Sequence, residues 1–447
     1  MQPPPLPEDS LLASKQAPCL DCLSTSRDSY SMQKVAVVGG GLSGALCGLV
    51  LRSRGLSPTV FDMGKRRAGG RVAGGRHPDS GLQFLQASEV RLQHVFGMLR
   101  REGLIAPWTG RFGVLGSRGG GFLPIDVLRS TPLRGMMRET PGEAETAGVD
   151  FCGFLSHDAE AQPLYVGTAG NGDIVTGLCE AAGIDTVLGA HVVAATCEER
   201  DGTPRWRLEC SDKDAGGDKA EQAFDALVLA SHDASLASRT ISALASTGTD
   251  AAPKLMELSA ALNAQRAERT APSFTWSGYF PPGFSDSIPF DAVTVPGSPI
   301  VRFLARDASK PGRRVEESEG ELWTAVATAE FSSQVLAQAA AITAESGDSE
   351  RGGQAAATAE KALTAEVRNL LSPYFAGVTP APVAVSAKRW GAAFASSTLG
   401  LSEDCVSLEP WRLAICGDFL RDDYSCPAEA AALSGMEAAE RVASWYA

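Results

Sequence analysis

No apolar run in this 447-residue chain approaches the ~20 residues of a membrane-spanning helix; stretches such as Phe224 to Ala230 have the length of a strand. Basic residues are outnumbered, 40 Lys and Arg against 53 Asp and Glu, for a net charge of -13. That balance argues against nucleic acid or an anionic membrane as partner, since both demand a basic face. Regular cysteine spacing is missing too. The ten cysteines are scattered, several inside apolar patterns (Cys47, Cys179, Cys416), as in a reducing compartment where cysteine serves as a small hydrophobe. Cys19-x-x-Cys22 has no second pair, so no zinc or redox site is expected there. The five histidines, His77, His94, His157, His191 and His232, lack metal-ligand spacing, and no metal site is expected.

The first stretch, Met1 to Met32, has Pro3-Pro4-Pro5 and no periodicity, which predicts a disordered leader. Its serines suit a plastid transit peptide. Its acids, Glu8, Asp9, Asp21 and Asp28 against Lys15 and Arg27, do not. The expectation is a soluble acidic protein of the cytoplasm, with the chloroplast as the alternative.

What the chain does have is 44% hydrophobic residues, enough for two domains with cores of their own, and a dense motif near its start. Four β-formers, Val35 to Val38, run into Gly39-x-Gly41-x-x-Gly44, and a helical apolar pattern (Leu46, Leu49, Val50) follows. In such a strand–turn–helix unit Gly39 makes the turn, Gly41 admits a pyrophosphate to the backbone and Gly44 allows close helix–strand packing. The helix start at Leu42 and Ser43 offers free N–H groups and a positive dipole end. A second strand, Thr59 to Phe61, ends in Asp62, placed to accept the hydroxyls of an adenosine ribose. Gly69-Gly70-Arg71 follows within one short loop, where an arginine fork suits paired phosphate oxygens. Arg66, Arg67 and Arg76 are neighbours able to share that role.

Further on, Val90 to Arg101 reads as a helix closed by Gly103, and Arg111 to Gly148 as loops with short elements, a place for a flexible active-site cover. Leu164 to Thr168 and a helix through Ile174 to Cys179 restore order. Asp185 to Leu188, His191 to Thr196 and Trp206 to Cys210 read as strands. Phe224 to Ala230 reads as a buried parallel strand whose end, Ser231-His232-Asp233, faces the ligand. Ala243 to Ala271 is mostly helical. From Ser273 the texture changes to short aromatic and β-branched runs, SFTWSGYF, PIVRFLARD and ELWTAVAT, which predict an antiparallel sheet and a second domain. Two helices, Phe331 to Ile342 and Thr358 to Leu371, flank a tip from Ala344 to Gln354. A strand from Val383 to Trp390 follows.

The closing unit, LAICGDFLRDDYSCPAEAAALSGMEAAERV, is strand, Gly417-Asp418, loop and helix. An aspartate at such a strand end can bind a ribityl hydroxyl, and the helix start can stabilise negative charge on a reduced flavin. The predicted fold class is therefore α/β: a Rossmann-like FAD-binding domain with a doubly wound, mainly parallel sheet, and an α+β substrate domain on an antiparallel sheet. The expected boundaries are 33–100, 164–235 and 405–447 for the first and 101–163 and 236–404 for the second.

The GGR segment resembles the E-x(6)-G-G-R pattern of the amine oxidase, phytoene desaturase and renalase superfamily of flavoproteins. From about Lys34 to Val442 the chain resembles the plant and algal branch of renalase-like FAD/NAD(P)-binding oxidoreductases, through these segments and APWTGRFG, YVGTAGNGDIVTGLCEAAG, AKRWGAAF and LAICGDF. The resemblance implies FAD as cofactor. Gly39, Gly41, Gly44, Asp62, Gly70 and Arg71 would hold its ADP half, and Val193 would give a backbone contact to adenine. Gly417 and Asp418 would meet the ribityl chain, with Glu429 and Ala430 under the isoalloxazine. It also implies hydride transfer from a small molecule to flavin N5 and reoxidation by oxygen, with isomers of reduced nicotinamide dinucleotides as candidate substrates. Trp390 as an aromatic wall, Arg389 as an anion contact and His232 at the strand end are the catalytic candidates. Two further readings are open: an amine oxidase or desaturase that keeps FAD, and an inactive flavin-binding module.

Overall fold

The computed structural model describes residues 32–72, 78–116, 121–130, 151–155, 163–211, 222–268, 270–313, 320–346, 351–421, 424 and 426–447. The leader as far as residue 31, Cys19, Cys22, Arg76, His77 and His157 lie outside the described residues.

Among the described residues the strands begin with β1 (Lys34–Val38), β2 (Ser57–Asp62), β3 (Ile105–Trp108), β4 (Phe112–Leu115), β5 (Phe122–Pro124) and β6 (Leu164–Gly167). There follow β7 (Asp185–Leu188), β8 (Val192–Arg200), β9 (Thr203–Cys210), β10 (Ala226–Leu229), β11 (Thr270–Phe280) and β12 (Ala292–Thr294). The last are β13 (Val301–Arg306), β14 (Glu321–Ala327), β15 (Ala384–Ala395), β16 (Cys405–Leu408) and β17 (Leu413–Cys416).

One sheet has the order β16-β17-β10-β1-β2-β7. Its pairs are parallel except at the β16 edge. The central runs VAVV, ALVL and LAIC are buried because both faces of the sheet are covered. Helices Leu42–Ser53, Val90–Arg101, Asn171–Ala181 and Pro427–Ser444 share one core with it. The β8–β9 hairpin and helices Ser235–Ala245 and Ala252–Glu268 share the core of the other face.

The second sheet has the order β15-β11-β14-β13-β12-β4-β5 and is antiparallel apart from the β12–β4 pair. Alternation sorts its side chains. Leu304, Trp323, Ala325 and Phe274 join a core with helices Ala329–Ser346 and Arg351–Leu371. Phe303, Ala305 and Val326 point the other way, towards Phe84, Trp108, Phe151 and Phe154.

Two sequence expectations change. Within Arg111 to Gly148, read as loops with short elements, Phe112–Leu115 and Phe122–Pro124 are regular strands of this sheet. Gly113 there sits where a Cβ would strike the carbonyl of Leu123, so glycine marks a close strand pairing. Of the tip expected from Ala344 to Gln354, the residues up to Ser346 and from Arg351 belong to the two helices, and 347–350 lie outside the described residues.

Candidate functional site

A cavity of about 580 Å³ opens between the two sheets. One half is lined by the β1 turn, the end of β2, the segment from Gly69 to Val72, Ser231 to Asp233, and Gly417-Asp418 with the start of the last helix. The other half is lined by Gly81 to Phe84, Phe151, Cys152 and the cavity-facing residues of β11, β14 and β15.

The turn is built on glycine for three reasons. Gly39 has φ +113°, and a Cβ there would sit 2.8 Å from the Ala230 carbonyl at the end of β10. A Cβ on Gly44 would strike the carbonyl oxygen of Gly39. A Cβ on Gly41 would meet nothing within 4 Å and would project into open space at the cavity wall. The first bond of the Leu42–Ser53 helix runs from Ala45 N–H to Gly41 O at 3.0 Å. The preceding N–H groups are therefore left at the cavity.

Asp62 is 7% exposed and accepts hydrogen bonds from Gly40 N–H (2.9 Å) and Gly64 N–H (2.7 Å). Burial raises its pKa above the ordinary aspartate range, against the pull of the two N–H donors. Gly40, which sequence reasoning passed over, is thus the residue that aims this carboxylate. A Cβ there would lie 2.8 Å from that of Asp62.

At the other end of the turn region, Arg71 forms a two-point pair with Asp418: Nη1 donates to Oδ2 at 2.8 Å and Nη2 to Oδ1 at 2.6 Å, while Nη1 also donates to Ala393 O at 3.0 Å. His232 Nδ1 lies 3.3 Å from Asp418 Oδ1. Burial alone would raise the Asp418 pKa; the Arg71 charge and the His232 and Arg71 hydrogen bonds hold it far below the usual carboxylate range. The sequence reading gave Arg71 to a pyrophosphate and Asp418 to a ribityl chain; the structure pairs them with each other. The ring Nε2 of His232 is buried at the cavity with no hydrogen-bond partner among the described residues. Arg67 lines the cavity and pairs with Asp173 at 2.7 Å, whereas Arg66 is exposed and outside the lining.

Other predicted positions lie elsewhere. Glu429 is fully buried away from the cavity. Its carboxylate accepts from Ser88 N–H (2.6 Å), Glu89 N–H (2.9 Å) and Ser88 Oγ (2.8 Å), so it anchors the approach to the Val90–Arg101 helix. Ala430 is buried behind the lining, which passes through Cys426, Pro427, Ala428 and Ala431. Val193 stands at a register shift of the β8–β9 ladder with its carbonyl taken by Arg239 Nη2 at 3.2 Å. Its neighbour Val192 lines the cavity instead.

Trp390 lines the half of the cavity under the second sheet, its Nε1 donating to Ser80 O at 2.5 Å. Arg389 does not. On β15 successive side chains alternate, so Trp390, opposite Ser273, faces the cavity and Arg389, opposite Phe274, faces the helix side. Lys388, opposite Thr275, shares the sheet face of Trp390, exposed and beside the lining rather than in it. Its Nζ lies 4.1 Å from the Trp390 ring centroid and donates to Ser80 Oγ at 3.1 Å. Partial loss of solvent lowers its pKa below the ordinary lysine value. The period of two in AKRWG was the signal available for it.

Residues 37–99 match a family model described as an NAD(P)-binding Rossmann-like domain. No curated protein sequence matches the chain. Among solved structures, an Exiguobacterium sp. 255-15 protein assigned as a protoporphyrinogen oxidase superposes over 93% of this chain and 99% of its own, with TM-score 0.58 at 14% identity. Putrescine oxidase bound to putrescine covers 92% and 98%, with TM-score 0.56 at 13% identity. Cyclohexylamine oxidase from Brevibacterium oxydans IH-35A covers 92% and 99%, with TM-score 0.56 at 12% identity. The chain therefore has the fold of these proteins: a Rossmann-like domain joined to a second domain on a separate, mostly antiparallel sheet. Among the described residues no helix is long and apolar enough to cross a membrane.

Proposed function

We propose that this chain is an FAD-dependent oxidoreductase that oxidises a small molecule and returns the electrons to oxygen. The observation that carries the reading is the continuity of the cavity, which runs from the open cradle at Gly41 to the Trp390 wall under the second sheet. A dinucleotide seated at the turn would extend its reactive end to where a substrate enters.

The residues present fit that cofactor. Gly41 leaves the space a Cβ would fill, the helix start presents N–H groups, and His232 Nε2 is a buried polar atom awaiting a partner. Asp62, held by two backbone N–H groups, keeps lone pairs for ribose hydroxyls. The Arg71–Asp418 pair fixes the end of β17 beside β15, and leaves the backbone N–H groups of the turn as the main phosphate contacts. FAD supplies the two-electron chemistry when bound. The chain's own part is positioning: Ser80 locks the Trp390 indole, and the apolar wall keeps water from the reacting face.

Within this class we favour the renalase-like reading, with isomers of reduced nicotinamide dinucleotides as substrates. The test is the visible spectrum of the purified protein, followed anaerobically as reduced nicotinamide preparations containing those isomers are added. Rapid bleaching, with recovery and peroxide on admitting air, is the expected result. A yellow protein that fails to bleach removes this substrate but keeps the cofactor, and a colourless one that cannot be reconstituted with FAD overturns the proposal.

A further inference from the structure

The two halves of the cavity differ in charge. Its carboxylates, Asp62, Asp233 and Asp418, all line the dinucleotide half, and each is engaged by backbone N–H groups or by arginine. Among the described residues, the lining of the substrate half, from Gln83 and Phe84 to Thr275, Trp390 and Phe394, holds no ionisable acid or base except Cys152. Asp79, two residues before the lining Gly81, and Asp307 are buried and paired with Lys310 and Arg313. Two described cations border this half, Arg302 and Lys388. The Arg302 guanidinium lies 5.0 Å from the Phe151 ring centroid and 5.3 Å from that of Phe394, and both rings line the cavity. The Lys388 ammonium rests on the Trp390 ring with a hydroxyl as its hydrogen-bond partner, and no carboxylate pairs with it among the described residues.

A protonated amine entering such a chamber would leave water and find no counter-charge, whereas an anion would meet Lys388. Resting on the reading of this cavity as a flavin and substrate site, we infer that the substrate presents a flat, largely apolar ring to the cavity and carries an anionic group elsewhere on the molecule, that Lys388 receives that group beside the Trp390 wall, and that protonated amines are rejected. Lys388 is then the residue that sets specificity, and it does so by charge while the aromatic wall selects shape.

The probes are 2-naphthoate and protonated 2-naphthylmethylamine, alike in ring and opposite in charge. Binding is read by equilibrium dialysis and by the shift each causes in the spectrum of bound flavin. Wild type is expected to bind the acid at least tenfold more tightly than the amine. Lys388→Gln should weaken the acid by about tenfold, the scale of one charge-assisted contact, and Lys388→Arg should restore most of it. Dialysis decides acid against amine even if the protein proves colourless, so loss of the flavin reading is distinguishable from loss of this one. Equal or tighter binding of the amine by wild type, or acid binding indifferent to Lys388→Gln, overturns the inference.

Discussion

Replacing Gly41 by alanine adds a methyl group to open cavity, whereas the same change at Gly44 drives one into the Gly39 carbonyl oxygen. Gly41→Ala is therefore expected to keep its melting temperature and lose FAD on dialysis. Gly44→Ala should lose about 1–3 kcal/mol of stability, the range for overpacking a tight contact, as read by urea denaturation. Asp418 makes a different kind of prediction. Its folded-state pKa is depressed, so the stability it contributes is fully present above the ordinary aspartate pKa and is lost as pH falls from about 4 downward. Denaturation midpoints measured across that window should fall for wild type. In Asp418→Asn that component should be missing, and the midpoint already low at neutral pH, because Arg71 is left without its charge partner.

At the scale of elements, Glu429 shows how a residue picked for one role can serve another. It lies in the first turn of the Pro427–Ser444 helix, as a flavin contact would, but helical rotation turns it to Ser88 and Glu89. Glu429→Ala removes a buried carboxylate from the Ser88 and Glu89 N–H donors of an exposed turn and should cost about 1.5–3 kcal/mol, the range for hydrogen bonds to a charged group, with cofactor binding by the folded protein unchanged. The strands tell the same story about what could be read. The GxGxxG turn, the parallel runs and the final Gly-Asp unit were legible because each depends on neighbours in sequence. The partnership of Arg71 with Asp418 was not, because it joins residues 347 apart, and two motifs that each implied a ligand contact satisfy one another. Arg389 and Trp390 could not both have faced the site on a regular strand. Applying the strand's alternation to AKRWG would have placed Lys388, not Arg389, on the face of Trp390.

For the whole molecule, the junction of the two sheets rests on a charge cluster out of reach of solvent. Lys310 Nζ donates to Asp79 Oδ2 at 2.9 Å and lies 3.1 Å from Asp307 Oδ1, while Arg313 Nη2 meets Asp79 Oδ2 at 2.5 Å. Asp79 also accepts from Asn171 N–H at 3.0 Å, so one carboxylate ties the segment before Gly81 to both halves. Lys310→Met should cost about 3–5 kcal/mol by stranding buried carboxylate charge. Lys310→Met combined with Asp307→Asn should cost less than the two changes added together, as measured by a double-mutant cycle in urea.

The order of the first sheet carries a consequence for how the protein is made. β10 lies between β1 and β17, and the Pro427–Ser444 helix packs so closely on the first helix that a Cβ on Gly435 would strike the Ser43 carbonyl. A chain emerging from the ribosome exposes the glycine turn early, but the wall that closes over it arrives some hundreds of residues later. On the proposed reading of the site, loading the cofactor is a step that follows synthesis, sensitive to flavin supply at the moment of release.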